Sequence, residues 1–98
     1  MDYKMFKPDG GIDANTNVVS LIKESLGKDG LTLGSSLRFI GFEAQPGTEF
    51  YLNGTKDSNK MEVPLTGKFI TPFDGQRGCN IYYLAFEESF DSPIYYII

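Results

Sequence analysis

The sequence predicts a mainly β chain: an antiparallel β-sandwich or barrel of five to six short strands, with a short N-terminal helix and an extended N-terminal arm. Three observations carry this. From residue 31 onward, short runs rich in aromatic and β-branched residues are separated by Pro, Gly, Asn and Asp. Turn signals recur about every 8–12 residues, the spacing of a sandwich or barrel. The chain has 98 residues, 41% hydrophobic and 22% charged, which is enough for one domain with one small core. The organisation read from it is an arm over residues 1–16 and a single β domain over residues 17–98.

The arm carries a dense turn signal, Lys7-Pro8-Asp9-Gly10-Gly11, behind the apolar Met5 and Phe6. Two readings stand: a loosely packed terminus, or an arm that orders against a neighbouring subunit. In residues 18–26, Val18, Ile22 and Leu26 recur at helical spacing with Val19 beside them. Asn15, Thr16 or Asn17 would cap such a helix and Gly27 would end it. The Val18-Val19 pair and the short length favour a strand instead. Either way the stripe is read as facing the core.

Leu37 to Phe42 is the first clear strand. Gln45-Pro46-Gly47 follows as a type II turn, with Pro46 fixing φ and Gly47 supplying the positive φ. Glu49 to Leu52 resumes a strand with Phe50 and Leu52 on one face. Asn53-Gly54 is hairpin-like, but the polar run to Lys60 is too long for a two-residue loop. Met61, Val63 and Leu65 alternate with Glu62 and Pro64, and Pro64 argues for an edge strand or bulge. Lys68 to Ile70 is a short strand ended by Pro72 and Asp74-Gly75. Cys79 to Glu87 reads as the longest strand, with Ile81, Tyr83 and Ala85 on one face and Tyr82, Leu84 and Phe86 on the other. Pro93 opens a last strand, Ile94 to Ile98. The expected core includes Phe39 or Ile40, Phe50, Leu52, Ile81 or Tyr82, Leu84 and Phe86.

Composition narrows the chemistry. Histidine is absent and Cys79 is the single cysteine. That removes Ser-His-Asp and Cys-His nucleophile systems, His-ligated metals and an internal disulfide. Cys79 is expected to be a small buried hydrophobe, and a lone cysteine fits synthesis in a reducing compartment. The net charge of −4 gives no counterion release at phosphates, so no nucleic-acid partner is expected. No run approaches the ~20 apolar residues of a membrane span, and Met1 to Lys4 opens no secretory signal.

Glu87 and Glu88 are strand neighbours that point to opposite faces, so they do not flank one bond. Asp9, Asp13, Asp57 and Asp74 form no calcium-hand loop. Neither Gly10-Gly11 nor Gly75-Gln76-Arg77-Gly78 has the ending of a phosphate loop. Asn53-Gly54-Thr55 fits the glycosylation pattern by coincidence. No cofactor, metal or catalytic residue is expected, and the chain is read as a non-enzyme.

Six Tyr and eight Phe without Trp is a high aromatic density, and Tyr82, Tyr83, Tyr95 and Tyr96 fall on the last two strands. They serve as core and rim of a sandwich, as an interface, or as a sugar-stacking platform.

The segment Gly41-Phe42-Glu43-Ala44-Gln45-Pro46-Gly47-Thr48-Glu49-Phe50-Tyr51-Leu52-Asn53 resembles a "G-[IF]-x-A-x-P-G-T-x-F-x-[IL]-N" stretch of small β domains in virion structural proteins of tailed bacteriophages. The elements that follow in that pattern are also present: Thr66-Gly67-Lys68-Phe69, then Ile81-Tyr82-Tyr83-Leu84-Ala85-Phe86, then Ile94-Tyr95-Tyr96-Ile97. The resemblance covers residues 40–98. It departs at the terminal strand, where an acid usually precedes the tyrosine and Ile94 or Tyr95 stands instead.

The resemblance implies a structural or accessory protein acting in particle assembly or capsid decoration, on capsid, neck, tail or fibre. It would be made in the host bacterial cytoplasm and located in the virion. Its partners would be other virion proteins and further copies of itself as a homo-oligomer. The alternative is a carbohydrate- or receptor-binding module of a tail appendage, with a glycan as ligand. The expected interface joins the arm anchors Tyr3, Met5 and Phe6 to the uncharged last strand, Ile94, Tyr95, Tyr96, Ile97 and Ile98. That strand would be an open edge on a free monomer, and an open apolar edge invites pairing.

Overall fold

Two antiparallel sheets enclose one core in the computed structural model, which describes residues 3–28, 30, 37–54, 60–71 and 80–97. The elements are β1 (Lys4–Phe6), α1 (Val18–Lys28), β2 (Phe39–Glu43), β3 (Glu49–Leu52), β4 (Lys60–Glu62), β5 (Lys68–Ile70), β6 (Leu84–Phe86) and β7 (Ile94–Ile97). One sheet has the order β1-β7-β2-β5 and the other β4-β3-β6. The sandwich-like, mainly β architecture is the expected one, with seven described strands where five or six were anticipated.

Residues 18–28 are helical. The Asn17 Oδ1 accepts from the Val19 N–H at 3.1 Å, an N-cap that satisfies a first-turn donor. Val18, Val19, Ile22 and Leu26 are the buried stripe. The helix runs through Gly27 to Lys28, whose ammonium suits the negative end of the helix dipole.

The core is aromatic where the sheets face each other. Phe42 of β2 lies edge-on to Phe50 of β3 at 5.3 Å and to Phe86 of β6 at 5.0 Å. Phe86 stacks on Phe90 at 3.9 Å. Phe50, Ile40, Ile81, Leu84 and Phe86 are buried as anticipated, whereas Leu52 is only partly buried and Tyr82 is exposed. The hydroxyl of Thr71 is also buried. It accepts from the Ile40 N–H at 3.0 Å and donates to the Ile40 carbonyl at 3.2 Å, so it costs no unpaired polar group.

Four expectations are corrected. The Cys79–Glu87 run is not one strand. Ile81 makes a single bridge to Leu37, and strand pairing resumes only at Leu84. Ile81 and Leu84 are both fully buried three residues apart, which uninterrupted alternation forbids. In between, one backbone bond remains, from Asn53 N–H to the Tyr83 carbonyl at 2.9 Å, and asparagine side chains supply further acceptors. Asn53 Oδ1 accepts from Tyr82 N–H at 2.9 Å, and Asn17 Oδ1 accepts from Leu84 N–H at 3.2 Å. Cys79 itself, Ile98 and the Asp74-Gly75 turn lie outside the described residues.

In the β4 region, Met61 and Leu65 are exposed and Val63 alone of the three is buried. Residues 3–16 are not an extended arm. Lys4, Met5 and Phe6 pair with Tyr96, Tyr95 and Ile94, and Ile12 is buried and bridged to Phe90. The last strand is not an edge: β7 is interior, between β1 and β2. Its uncharged edge is thus covered by the chain's own N-terminal segment, which is how a short fold protects an apolar strand.

Candidate functional site

Alternation on β2 sends Phe42 and Ile40 into the core and leaves Phe39 and Gly41 on the outside. The register continues this outer face across the whole sheet. Gly41 is opposite both Ile70 and Tyr95, and Tyr95 is opposite Met5. The row Met5–Tyr95–Gly41–Ile70 therefore crosses all four strands. Met5 is 61% exposed, Tyr95 42% and Ile70 61%, and Tyr3, just ahead of β1, is 60% exposed.

Gly41 sets the relief. A Cβ there would lie 3.3 Å from the Phe39 ring, which rests against the glycine. Tyr3 packs edge-on against Phe39 at 5.3 Å. The result is a depression of about 340 Å³ over Gly41, walled by Phe39, Tyr3, Tyr95 and Ile70. At its far end Glu43 and Lys68, a cross-strand pair, stand 3.7 Å apart and cancel each other's charge.

Of the interface residues expected from the sequence, Tyr3, Met5 and Tyr95 share this face. Phe6 is half-buried against the core, and Ile94, Tyr96 and Ile97 are buried in the chain's own fold. The sequence alone does not mark Ile70, Phe39 and Gly41 as site residues. The signal for them was apolar character at both parities of two short strands. The Pro46-Gly47 turn is as expected: Gly47 has φ +88°, and Thr48 N–H donates to the Gln45 carbonyl at 3.1 Å.

The outer face of the second sheet differs. Tyr51 donates its hydroxyl to Glu87 at 2.5 Å, and Lys60 pairs with Glu49. The bond to Glu87 holds the Tyr51 hydroxyl above the ordinary tyrosine range, and the bond to Glu49 raises Lys60 above the ordinary lysine range. Glu49 and Glu87, with Glu88 and Asp91, line a neighbouring polar groove of about 440 Å³. Among the described residues, no group of three or more His, Cys, Asp or Glu is placed to hold a metal ion. No described helix is long and apolar enough to cross a membrane.

Comparison with protein-family models, with curated proteins and with solved structures returns no match for this chain.

Proposed function

We propose that the chain is a structural or accessory protein of a tailed-bacteriophage particle, working by protein–protein contact through the outer face of β1-β7-β2-β5. The observation that carries the contact is the exposure of the apolar side chains Met5, Tyr95 and Ile70 along the row that crosses Gly41. Outer faces of antiparallel sheets ordinarily alternate to polar residues, and a contiguous apolar patch marks an interaction site. The particle assignment rests on the resemblance of residues 40–98 to virion β domains. In a lattice, many copies multiply a modest contact into stable attachment. A sugar site is less well supported, because the two polar groups at the depression, Glu43 and Lys68, face each other.

The test is co-sedimentation with phage particles raised on the host of the genome that encodes the chain. Wild type is expected to travel with the particles, and a Met5→Glu/Ile70→Glu double variant to stay at the top of the gradient. Wild type that stays at the top overturns the proposal.

A further inference from the structure

Resting on that reading of the outer face, we propose that its occupant is a second copy of this chain, docked face to face about a two-fold axis that runs along the strands between β2 and β5. The shape is self-complementary about that line. Gly41 is directly opposite Ile70, and Glu43 is directly opposite Lys68. A two-fold rotation between the two strands exchanges the members of each pair. It drops the partner copy's Ile70 into the depression over Gly41 and brings its Lys68 against Glu43. Both matches occur at once, in one register, and both occur twice, as an isologous interface requires.

Charge and area fit the same occupant. The rim carries one carboxylate and one ammonium 3.7 Å apart, so the face is neutral on a chain of net charge −4. Two acidic copies therefore meet where their mutual repulsion is least. At roughly 150–250 Å² per large side chain, the exposed shares of Tyr3, Met5, Ile70 and Tyr95 present on the order of 400 Å² of mainly apolar surface. A standard interface buries ~800 Å² per partner, of which about 56–65% is apolar. About this axis β2 and β5 alone lie over their counterparts, so Ile70 and Gly41 form the centre of the contact, Tyr95 walls the depression that each Ile70 enters, and Met5 and Tyr3 fall at its margin.

Sedimentation equilibrium over a concentration series decides this. Wild type is expected to dimerise with a Kd of roughly micromolar order. Ile70→Ser, which removes the knob, should weaken the dimer about tenfold or more. Glu43→Lys alone and Lys68→Glu alone should each weaken it by about three- to fivefold, the scale of an exposed ion pair. An equimolar mixture of those two single variants should associate as tightly as wild type, because only the mixed dimer places opposite charges across both contacts.

A wild type that stays monomeric to about 1 mM overturns the proposal. So does a mixture no tighter than either variant alone, and far-UV circular dichroism confirms that each variant is folded. A monomer that still travels with particles overturns the second copy and leaves the particle reading standing. A dimer that does not travel with them does the reverse.

Discussion

The outer faces of the two sheets solve the same problem in opposite ways. On the three-stranded sheet, Glu49, Tyr51, Lys60 and Glu87 pair off among themselves. Their polar groups are spent inside the chain. On the four-stranded sheet, the corresponding positions are Met5, Tyr95, Gly41 and Ile70; the Phe39 ring covers Gly41, and the three side chains stay exposed. The lesson is in the contrast within β2. Phe42, pointing inward, has Phe50, Phe69, Phe86 and Phe90 around it, with centroids between 5.0 and 5.5 Å. Phe39, pointing outward, is sheltered by its own glycine and by Tyr3, whose ring remains largely exposed. The inner ring is a core residue because the opposite sheet supplies its neighbours. The outer ring is the floor of a surface.

The largest expected effect tests that contrast at its inner end. Phe42→Ala empties the centre of the aromatic cluster and should cost about 3–5 kcal/mol in urea unfolding. A loss under ~1 kcal/mol would mean that the sheets do not close on Phe42, and the distinction between the faces would fall.

Asn17→Ala comes next. One carboxamide oxygen caps α1 through Val19 and also receives the Leu84 N–H at the start of β6. Loss of a cap and of a half-buried acceptor together should cost about 2 kcal/mol. Thermal melts of this variant check whether helix and sheet are joined there. A change below ~0.5 kcal/mol would show that the two elements are held by packing alone.

Legibility in the sequence followed range. Gly47 was readable because its requirement is local: Pro46 and the positive φ need no distant partner. Gly47→Ala should cost about 1–2 kcal/mol from backbone strain alone, since nothing lies within 4 Å of an added Cβ. Unfolding at the wild-type midpoint would deny the positive φ.

Strand parity at Phe50, Leu84 and Phe86 was equally local. The break between Ile81 and Leu84 was not, because it is made by Asn53 and Asn17, side chains far off in sequence. The position of β7 was not readable either. Ile94 to Ile97 looks like an edge until β1 is seen to pair with it. The outer face was half readable: Tyr3, Met5 and Tyr95 announced themselves by type, but Ile70 and Gly41 join them only through register.

Alkaline pH should act on the polar outer face. Tyr51 holds its proton more tightly when folded because its hydroxyl is bonded to Glu87. Its stabilisation is present below the unfolded pKa of 10.0 and is lost as pH rises through the raised folded value. Lys60, raised by Glu49, behaves alike from its unfolded value of 10.5. Stability should therefore be flat up to about pH 9.5 and then fall. In a Tyr51→Phe/Lys60→Gln variant the alkaline fall should be shallower. An unchanged slope would place the alkaline sensitivity outside this network.

The smallest effect on stability is expected where the effect on association is largest. Ile70 and Phe69 are neighbours on β5 that point to opposite faces. Phe69 packs 4.7 Å from Phe50, whereas Ile70 is mostly in water already. Removing apolar area that the monomer leaves exposed forfeits little transfer free energy, so Ile70→Ser in a dilute, monomeric sample should change unfolding by no more than about 0.5 kcal/mol. Phe69→Ser in the same conditions should cost several times that. The pair of measurements separates two meanings of an apolar residue on one short strand. If Ile70→Ser destabilises the dilute monomer as much as Phe69→Ser does, then Ile70 is held by its own chain, and the outer face is a second core rather than a surface kept open for a partner.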